Sequence, residues 1–359
     1  MRIAVDGRPL RHPFSGIGVY AREILARIAD GHELFIYLDR RLDKPSQIKG
    51  LYRTGPSRRL SGFLTANVAF ARWAKRDRVD VFFSPRHHLP LMLGKIPAVV
   101  TIHDMVWRVA PDTMQPLNRL LDTTLMPLAL ARAERVIAVS ADTANRIAAY
   151  CGRRDVATIH NAPREVSQAV PFTHPRPYFL FVGTKEPRKN LRGTVEGFRR
   201  ATAAGLNHDL VLVGPTGWGE SGLPADMARD PAAKRIVDLG SIPDERLAGV
   251  YESCSALVLA SFYEGFGIPL IEAMHHGKPV ITSGTGAMAE VVGDAGILVD
   301  PGDPASLARA FLKLANDGNT CRRLATNARR RGCAFSWDRA ARSTIDVLED
   351  ATRRGRSNA

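Results

Sequence analysis

Cysteine is scarce and scattered in this chain of 359 residues. Its four cysteines, Cys151, Cys254, Cys321 and Cys333, form no C-x-x-C pair, which argues against a zinc ribbon, a thioredoxin-type motif and a disulfide-built scaffold. A reducing compartment fits best. Long apolar runs are missing as well. Leu89–Val100 is broken by Pro90, Lys95 and Pro97, and a membrane span needs roughly 18 uninterrupted apolar residues. The opening MRIAVDG puts Asp6 where a signal peptide would carry its apolar stretch. The expectation is a soluble, cytoplasmic chain. Aromatic residues amount to 7%, and residues 1–170 show no interleaved aromatic–basic stripe of the kind that stacks single-stranded bases. No nucleic-acid partner is expected, although a basic RNA-binding protein is the rival reading from a different class.

What is present is an ordinary globular composition with an unusual charge. Apolar residues make up 45% and charged residues 24%, and a chain of this length suggests two domains. The net charge is +14, unevenly spread. Residues 1–170 hold 26 Lys+Arg against 15 Asp+Glu, residues 171–321 hold 14 against 17, and residues 322–359 hold 10 against 4. The two halves therefore meet different surroundings, the basic one suited to anionic membranes or phosphorylated substrates.

Short apolar, β-rich runs alternate with helical stretches throughout: Ile3–Val5, Leu34–Leu38, Val79–Phe83, Ala98–Ile102, Val136–Val139 and Ala157–Ile159, then Tyr178–Val182, Leu210–Val213, Ile236–Leu239, Ala256–Ala260, Val280–Thr282 and Gly296–Val299. Such alternation predicts parallel sheets with helices on both faces. The pattern lapses between Ala162 and Tyr178, where Pro163, Pro171, Pro175 and Pro177 fall, and this is the predicted linker. The expected fold is α/β, with two doubly wound Rossmann-like domains and a ligand cleft between their strand ends.

The most informative segment runs from Ser261 to Met274, SFYEGFGIPLIEAM, directly after the strand Ala256–Ala260. Pro269 suits the first helical position, which would make Ile268 the N-cap, a residue without a side-chain oxygen. The amides of that first turn then need an acceptor, and a ligand phosphate would supply one. Glu272, near the helix start, is placed to accept hydroxyl hydrogen bonds. Read alone, the segment is also compatible with an ordinary strand–loop–helix junction carrying two solvated glutamates.

Glu264 and Glu272 stand in E-G-F-G-x-P-x-x-E-A-M, which resembles the E-x7-E signature of family 4 retaining glycosyltransferases of the GT-B fold. Three further segments agree in order. Ser15-Gly16-Ile17-Gly18 is similar to that family's glycine-rich first loop, against the donor diphosphate and the acceptor. Thr101-Ile102-His103-Asp104 resembles the His-Asp loop near the transferred sugar. Phe181-Val182-Gly183-Thr184-Lys185-Glu186-Pro187-Arg188-Lys189-Asn190 resembles the second-domain loop whose Arg and Lys hold the diphosphate. The resemblance covers essentially the whole chain and implies an acceptor-side domain over residues 1–165, completed by a C-terminal helix over 338–359, and a donor-binding domain over 166–337. Many relatives have Gly-Arg where this chain has Gly183-Thr184, so the phosphate-binding arginine is Arg188, or Lys185 compensates. Asn161 matches a common Asn-Gly-Val-Asp loop, with Ala162 at the glycine position.

The chemistry is coherent. Transfer from a nucleotide sugar develops negative charge on the leaving diphosphate and positive charge on the sugar ring, so Arg188, Lys189 and helix-start amides at Gly267–Leu270 answer the first. No D-x-D triplet, the usual carboxylate pattern of metal-dependent transferases, occurs, and no metal or cofactor is expected beyond the nucleotide-sugar co-substrate. By resemblance, Glu264 touches hydroxyls of the transferred sugar, Glu272 the ribose, and Gly183, Thr184 and Phe266 the donor. The loop before Asp244 lies along the nucleobase, where Ile242 packs. His103 is the polar group beside the sugar; His87, His88 and Asn161 are acceptor-side candidates. The competing local readings are a solvated Lys189 before a helix capped by Asn190, and a structural His103. Ser140 reads as a helix N-cap.

These residues together imply a retaining, metal-independent hexosyltransferase acting on a glycolipid or polysaccharide precursor. The T-x-E-P-R-K-N style of the second-domain loop favours mannose from GDP-mannose; glucose or galactose from a UDP-sugar is the alternative, and an inactive scaffold of the same fold the non-enzymatic one. A peripheral site on the inner membrane face is also expected. Residues 40–78 hold 11 Lys+Arg against only Asp43 and Asp77, with Leu60, Phe63, Leu64, Phe70 and Trp73 among Arg58, Arg59, Arg72, Lys75 and Arg76. That is either a basic amphipathic stretch for an anionic membrane or the inner face of a core helix.

Overall fold

The structure, a computed structural model, describes residues 1–12, 15–43, 47–55, 65–166, 168–219 and 230–357. The chain divides into two compact units, one of residues 1–108, 116–161 and 336–359, the other of residues 109–115 and 162–335. Each is a parallel sheet flanked by helices, so the α/β, doubly wound Rossmann-like fold expected from the alternating runs is what the chain adopts.

The first unit carries β1 (Arg2–Asp6), β2 (Glu33–Leu38), β3 (Leu51–Thr54), β4 (Val81–Ser84), β5 (Ala98–Ile102), β6 (Arg135–Ala138) and β7 (Val156–Thr158), in the spatial order β3-β2-β1-β4-β5-β6-β7. Every residue of β4 and β5 is buried, as expected of strands covered on both faces. Expectation and structure differ at β3. Its sequence LYRT is mostly exposed and it pairs only with β2, so no continuous apolar run betrays this edge strand. The helix Trp337–Ser357 belongs to this unit and lies against the helix Gly16–Ile28. Trp337 is buried edge-on to Tyr20, with ring centroids 6.2 Å apart, and Arg27 Nε donates to Asp338 at 2.6 Å.

The second unit carries β8 (Tyr178–Val182), β9 (Asp209–Val213), β10 (Ile236–Asp238), β11 (Ala256–Leu259), β12 (Val280–Ser283) and β13 (Gly296–Val299), ordered β10-β9-β8-β11-β12-β13. In both sheets the strand order reverses once. It reverses between β1 and β4 in the first unit and between β8 and β11 in the second. Crossover helices leave opposite faces at such a reversal, and the loops beyond the strand C-termini part there to admit a ligand.

Local capping agrees with the sequence at Ser140, whose hydroxyl accepts from the Thr143 amide at 3.0 Å to open Ala141–Cys151. Two details are corrected. Ser15-Gly16-Ile17-Gly18 is not an open loop but a cap and first helical turn, Ser15 Oγ accepting from Gly18 N at 3.0 Å. The helix after β11 begins at Ile268, one residue earlier than expected, with Gly267 as its N-cap.

The basic segment divides as well. Arg58, Arg59, Leu60, Phe63 and Leu64 lie outside the described residues. In the helix Phe70–Arg76, Phe70 is fully buried, stacks on Trp73 at 5.7 Å and meets Tyr37 at 5.6 Å. These two aromatics form the inner face of a core helix, while Arg72, Lys75 and Arg76 stay exposed. Among the described residues no helix is long and apolar enough to cross a membrane.

Candidate active site

At the strand reversal of the second unit, the loop after β8 brings Arg188 and Lys189, and the loop after β11 brings Ser261 and Glu264. Glu264 is buried and fully engaged. Its Oε1 lies 2.5 Å from Lys189 Nζ and accepts from Ser261 Oγ at 2.9 Å, and its Oε2 accepts from Arg188 Nη1 at 2.9 Å. Burial pushes the Glu264 carboxyl up, but Arg188 and then Lys189 overcome it and hold it down at about 2, so the site carries a carboxylate flanked by two cations at neutral pH. Arg188 also donates to Glu186 Oε1 at 2.8 Å and to the Tyr263 carbonyl at 2.8 Å. Lys189 is thus no solvated residue. Asn190 does cap the following helix Leu191–Ala203, accepting from Gly193 N at 3.2 Å, so Lys189 is fixed one residue before the cap. Gly183 has φ +152°, a backbone conformation that favours glycine, and a Cβ there would make only ordinary contact with Lys189, 3.5 Å from Cε. Lys185 does not compensate for the missing Gly-Arg: it is buried against Asp238, 2.6 Å from Oδ1. Thr184, half-buried, lies against Gly217.

The expected row of helix-start amides is shorter than the sequence suggested. Pro269 has none, and the Leu270 amide donates to the Gly267 carbonyl at 2.9 Å. Gly267 N and Ile268 N remain, without a protein acceptor among the described residues. Gly267 has φ +89°, and a Cβ on it would come within 2.8 Å of Leu270 Cδ1, so glycine is required there. Phe266 and Leu270 are core residues by side chain, Phe266 packing edge-on to Phe335 at 5.8 Å.

Glu272 sits in a second cluster. Its Oε2 accepts from Tyr251 Oη at 2.8 Å, and Arg164 Nε lies 3.0 Å from Oε1 with its N–H turned off the line, so neither of those two atoms makes a hydrogen bond. Burial raises the Glu272 carboxyl, against the pull of Arg164. Arg164 is held from the other side by Asp244 Oδ1 at 2.6 Å, and Ile242 stands half-buried two residues before it. Glu264 and Glu272 therefore have separate partners. Sequence reasoning missed Arg164 and Tyr251, since neither falls inside a motif. Ser261 was in view, but its hydrogen bond to Glu264 was not.

In the first unit, His103 directly follows β5. Its Nε2 donates to the Pro85 carbonyl at 2.9 Å, and its ring is edge-on to Tyr20 at 4.9 Å and to His87 at 5.4 Å. Burial, reinforced by His87, pushes His103 down to about 3. It is neutral at physiological pH, with Nε2 protonated and Nδ1 an acceptor. His87 and His88 diverge. His87 is buried beside His103 with Nδ1 unpartnered, while His88 Nε2 donates to Asp122 at 2.9 Å. Gly16 is exposed at the first turn of its helix, and a Cβ on Gly18 would fall 2.0 Å from the His12 carbonyl. Asn161 is buried with Oδ1 unpartnered.

Two doubly wound Rossmann-like units are the architecture of the GT-B class of glycosyltransferases. Comparison with known proteins agrees. The family described as "Glycosyltransferase Family 4" matches residues 14–162, and "Glycosyl transferases group 1" matches residues 164–331. The O-antigen chain mannosyltransferase B of Escherichia coli is 30% identical, covering 97% of this chain and 100% of its own. Among solved structures, sucrose-phosphate synthase from Thermosynechococcus elongatus superposes with a TM-score of 0.75 at 21% identity, over 98% of both chains. The Anabaena protein HepE in complex with UDP and glucose gives 0.74 at 19% identity, over 98% of this chain and 100% of that one. The chain belongs to glycosyltransferase family 4.

Proposed function

We propose that the chain transfers mannose, with retention and without a metal, from GDP-mannose to a lipid-linked or polysaccharide-precursor acceptor. The observation that carries this reading is the pairing of Arg188 and Lys189 with Glu264 at the reversal between β8 and β11. It presents a guanidinium fork and an ammonium to a leaving diphosphate, and a carboxylate to sugar hydroxyls. The amides of Gly267 and Ile268, at the positive end of their helix, add to the first role. Glu272, braced by Tyr251 and Arg164, receives the ribose hydroxyls, and Ile242 packs along the base. His103, neutral and with Nδ1 an acceptor, holds a hydroxyl of the transferred sugar rather than acting as a cation beside the ring. The leaving phosphate oxygen takes the acceptor proton on the face the diphosphate departs from. Mannose is favoured over glucose or galactose by the full-length similarity to a mannosyltransferase. Exposed Arg72, Lys75 and Arg76, within the basic segment 40–78, bring the first unit to an anionic membrane surface.

The test is a panel of nucleotide sugars scored for hydrolysis and transfer, with GDP and UDP binding measured by calorimetry. GDP binding, turnover of GDP-mannose and an axial anomeric product are expected. UDP binding with turnover of UDP-glucose or UDP-galactose would replace the mannosyl reading, and binding of neither nucleotide would overturn the enzyme reading.

A further inference from the structure

Six of the thirteen large apolar side chains that stand exposed among the described residues gather on one part of the first unit. Four are on the helix Pro116–Arg132: Leu117 and Leu120, 66% and 64% exposed, with Leu121 and Leu128. The other two, Leu91 and Met92, lie in the loop between β4 and β5, which runs along this helix. Ahead of them His88 Nε2 donates to Asp122 at 2.9 Å, and behind them Arg132 Nη2 donates to the Gly94 and Ile96 carbonyls at 2.6 and 2.8 Å. The helix already has an inner side, with Met126, Ala129 and Leu130 buried, so the exposed leucines make a second apolar face. Exposed leucines scattered singly need no explanation, but a contiguous set marks an interaction surface.

The spacing says what shape fits this face. Leu117, Leu121, Thr124 and Leu128 follow one another at intervals of four, three and four residues, the period of a seam between two helices. Thr124 Oγ1 donates to the Leu120 carbonyl at 2.8 Å, so its hydroxyl needs nothing from a partner. The series reads the same in both directions about a point between Asp122 and Thr123. A two-fold axis there sets two copies of the helix antiparallel, Leu117 of each against Leu128 of the other and Leu121 against Thr124, as an isologous contact requires. Charge points the same way. The chain carries +14, so two copies repel one another except where charge is low. Residues 116–131 hold one cation, Arg119, against one anion, Asp122. A helix lying in a membrane surface needs a polar face rich in Lys and Arg, which this stretch lacks.

We propose that the leucine face of Pro116–Arg132, with Leu91 and Met92 beside it, docks a second copy of this chain to form a two-fold dimer. The inference does not depend on the glycosyl-transfer reading. Residues 117–128 span about 18 Å of helix, a contact at the low end of interface sizes, so association is reversible and falls in the micromolar range.

The test is sedimentation equilibrium of the full chain, from about 1 to about 300 μM so as to bracket such a Kd. The average mass rises from 39.3 kDa toward twice that value. Leu117→Gln combined with Leu128→Gln raises Kd by at least about tenfold, since a two-fold contact uses each side chain twice. Leu298→Gln, at an exposed leucine of the second unit, leaves Kd unchanged. Added salt strengthens the dimer by screening the repulsion between like-charged copies. A chain that stays monomeric throughout, or a double variant that dimerises like wild type, would overturn the proposal. So would a monomer held by neutral vesicles and released by the double substitution, which would make the face a lipid contact. Orientation is read by mild oxidation in a background with Cys151, Cys321 and Cys333 replaced by Ser. A mixture of Leu121→Cys and Thr124→Cys chains cross-links more than either chain alone, and the reverse result would overturn the antiparallel contact.

Discussion

Lys189 Nζ and Glu264 Oε1 stand 2.5 Å apart, joining the loop after β8 to the loop after β11 across the point where the strand order reverses. A single carboxylate thereby sets the position of two cations, because Arg188 holds its other oxygen. Lys189→Ala is expected to lower kcat by about 10²–10³, the usual loss when one preorganised contact to developing charge is removed. Glu264→Ala is expected to cost about 3–5 kcal/mol of stability as well, since it leaves two half-buried cations without their partner. Steady-state kinetics and urea denaturation of both variants provide the check. A Glu264→Ala protein as stable as wild type would show that the cluster is not a structural unit.

Glu272 has different neighbours and is expected to give a different kinetic signature. Glu272→Ala should chiefly raise the KM for the donor, because ribose contacts are alike in ground and transition states. Tyr251→Phe, which removes only the Oη donor to Oε2, should move in the same direction by less. If Glu272→Ala and Lys189→Ala share one signature, the division of labour between the two glutamates is wrong.

Much of this arrangement was legible in the sequence, for a physical reason. Strands buried on both faces leave apolar runs, and an apolar-rich run marks twelve of the thirteen strands, the partly buried β7 and β10 among them. β3, at an edge with LYRT facing solvent, has none. Lys189, Glu264 and Glu272 lay inside contiguous motifs because the loops at a strand reversal are short and local. Arg164 reaches Glu272 across 108 positions, and Asp122 reaches His88 across 34; contacts of that kind leave no spacing to read. The sequence also misassigned what the backbone does with its amides. That Pro269 lacks an N–H is plain from the sequence, but the capture of the Leu270 amide by the Gly267 carbonyl cannot be seen until the turn is formed.

The pH dependence of stability has a definite sign. His103 is pushed down to about 3 from a usual value near 6.5, so the unfolded chain takes up a proton there before the folded one does. Its contribution is complete above pH 6.5 and is lost as pH falls toward 3. His88, also lowered by burial, acts in the same direction. Glu264, held at about 2, adds a second loss, between its ordinary range near 4.5 and pH 2. Glu272, raised by burial, acts oppositely. Urea denaturation from pH 7.5 to 4 should show falling stability in the wild type and a flatter profile in His103→Asn. Parallel profiles would mean that His103 is protonated in the folded state. His103→Asn should also impair transfer while leaving GDP affinity nearly intact, and loss of GDP binding would move His103 away from the sugar.

Turnover is expected to survive chelation. On the proposed reading the diphosphate charge would be answered by Arg188, Lys189 and the amides of Gly267 and Ile268, groups that can supply the stabilisation a divalent ion gives elsewhere. Activity measured in EDTA should match activity in buffer alone. Loss in EDTA, restored by Mg2+ or Mn2+, would sink the metal-free reading.

Attachment to membranes should be electrostatic and reversible. Phe70 and Trp73 are committed to the core around Tyr37, so the helix Phe70–Arg76 turns Arg72, Lys75 and Arg76 outward, while Leu51, Tyr52 and Val68 are exposed apolar side chains elsewhere in the segment. Basic residues near an anionic leaflet contribute roughly 1 kcal/mol each and are screened within a Debye length of about 10 Å at 0.1 M salt. Co-sedimentation with anionic vesicles should therefore fall steeply between low and high salt, and neutral vesicles should retain little protein at any salt concentration. Replacing Arg72, Lys75 and Arg76 together by Gln should weaken binding by about tenfold to a hundredfold, while the urea midpoint stays within reach of wild type because these side chains are exposed. Binding that ignores lipid charge, or that persists at high salt, would point to apolar insertion elsewhere in the chain, and unchanged binding of the triple variant would take this helix out of the contact.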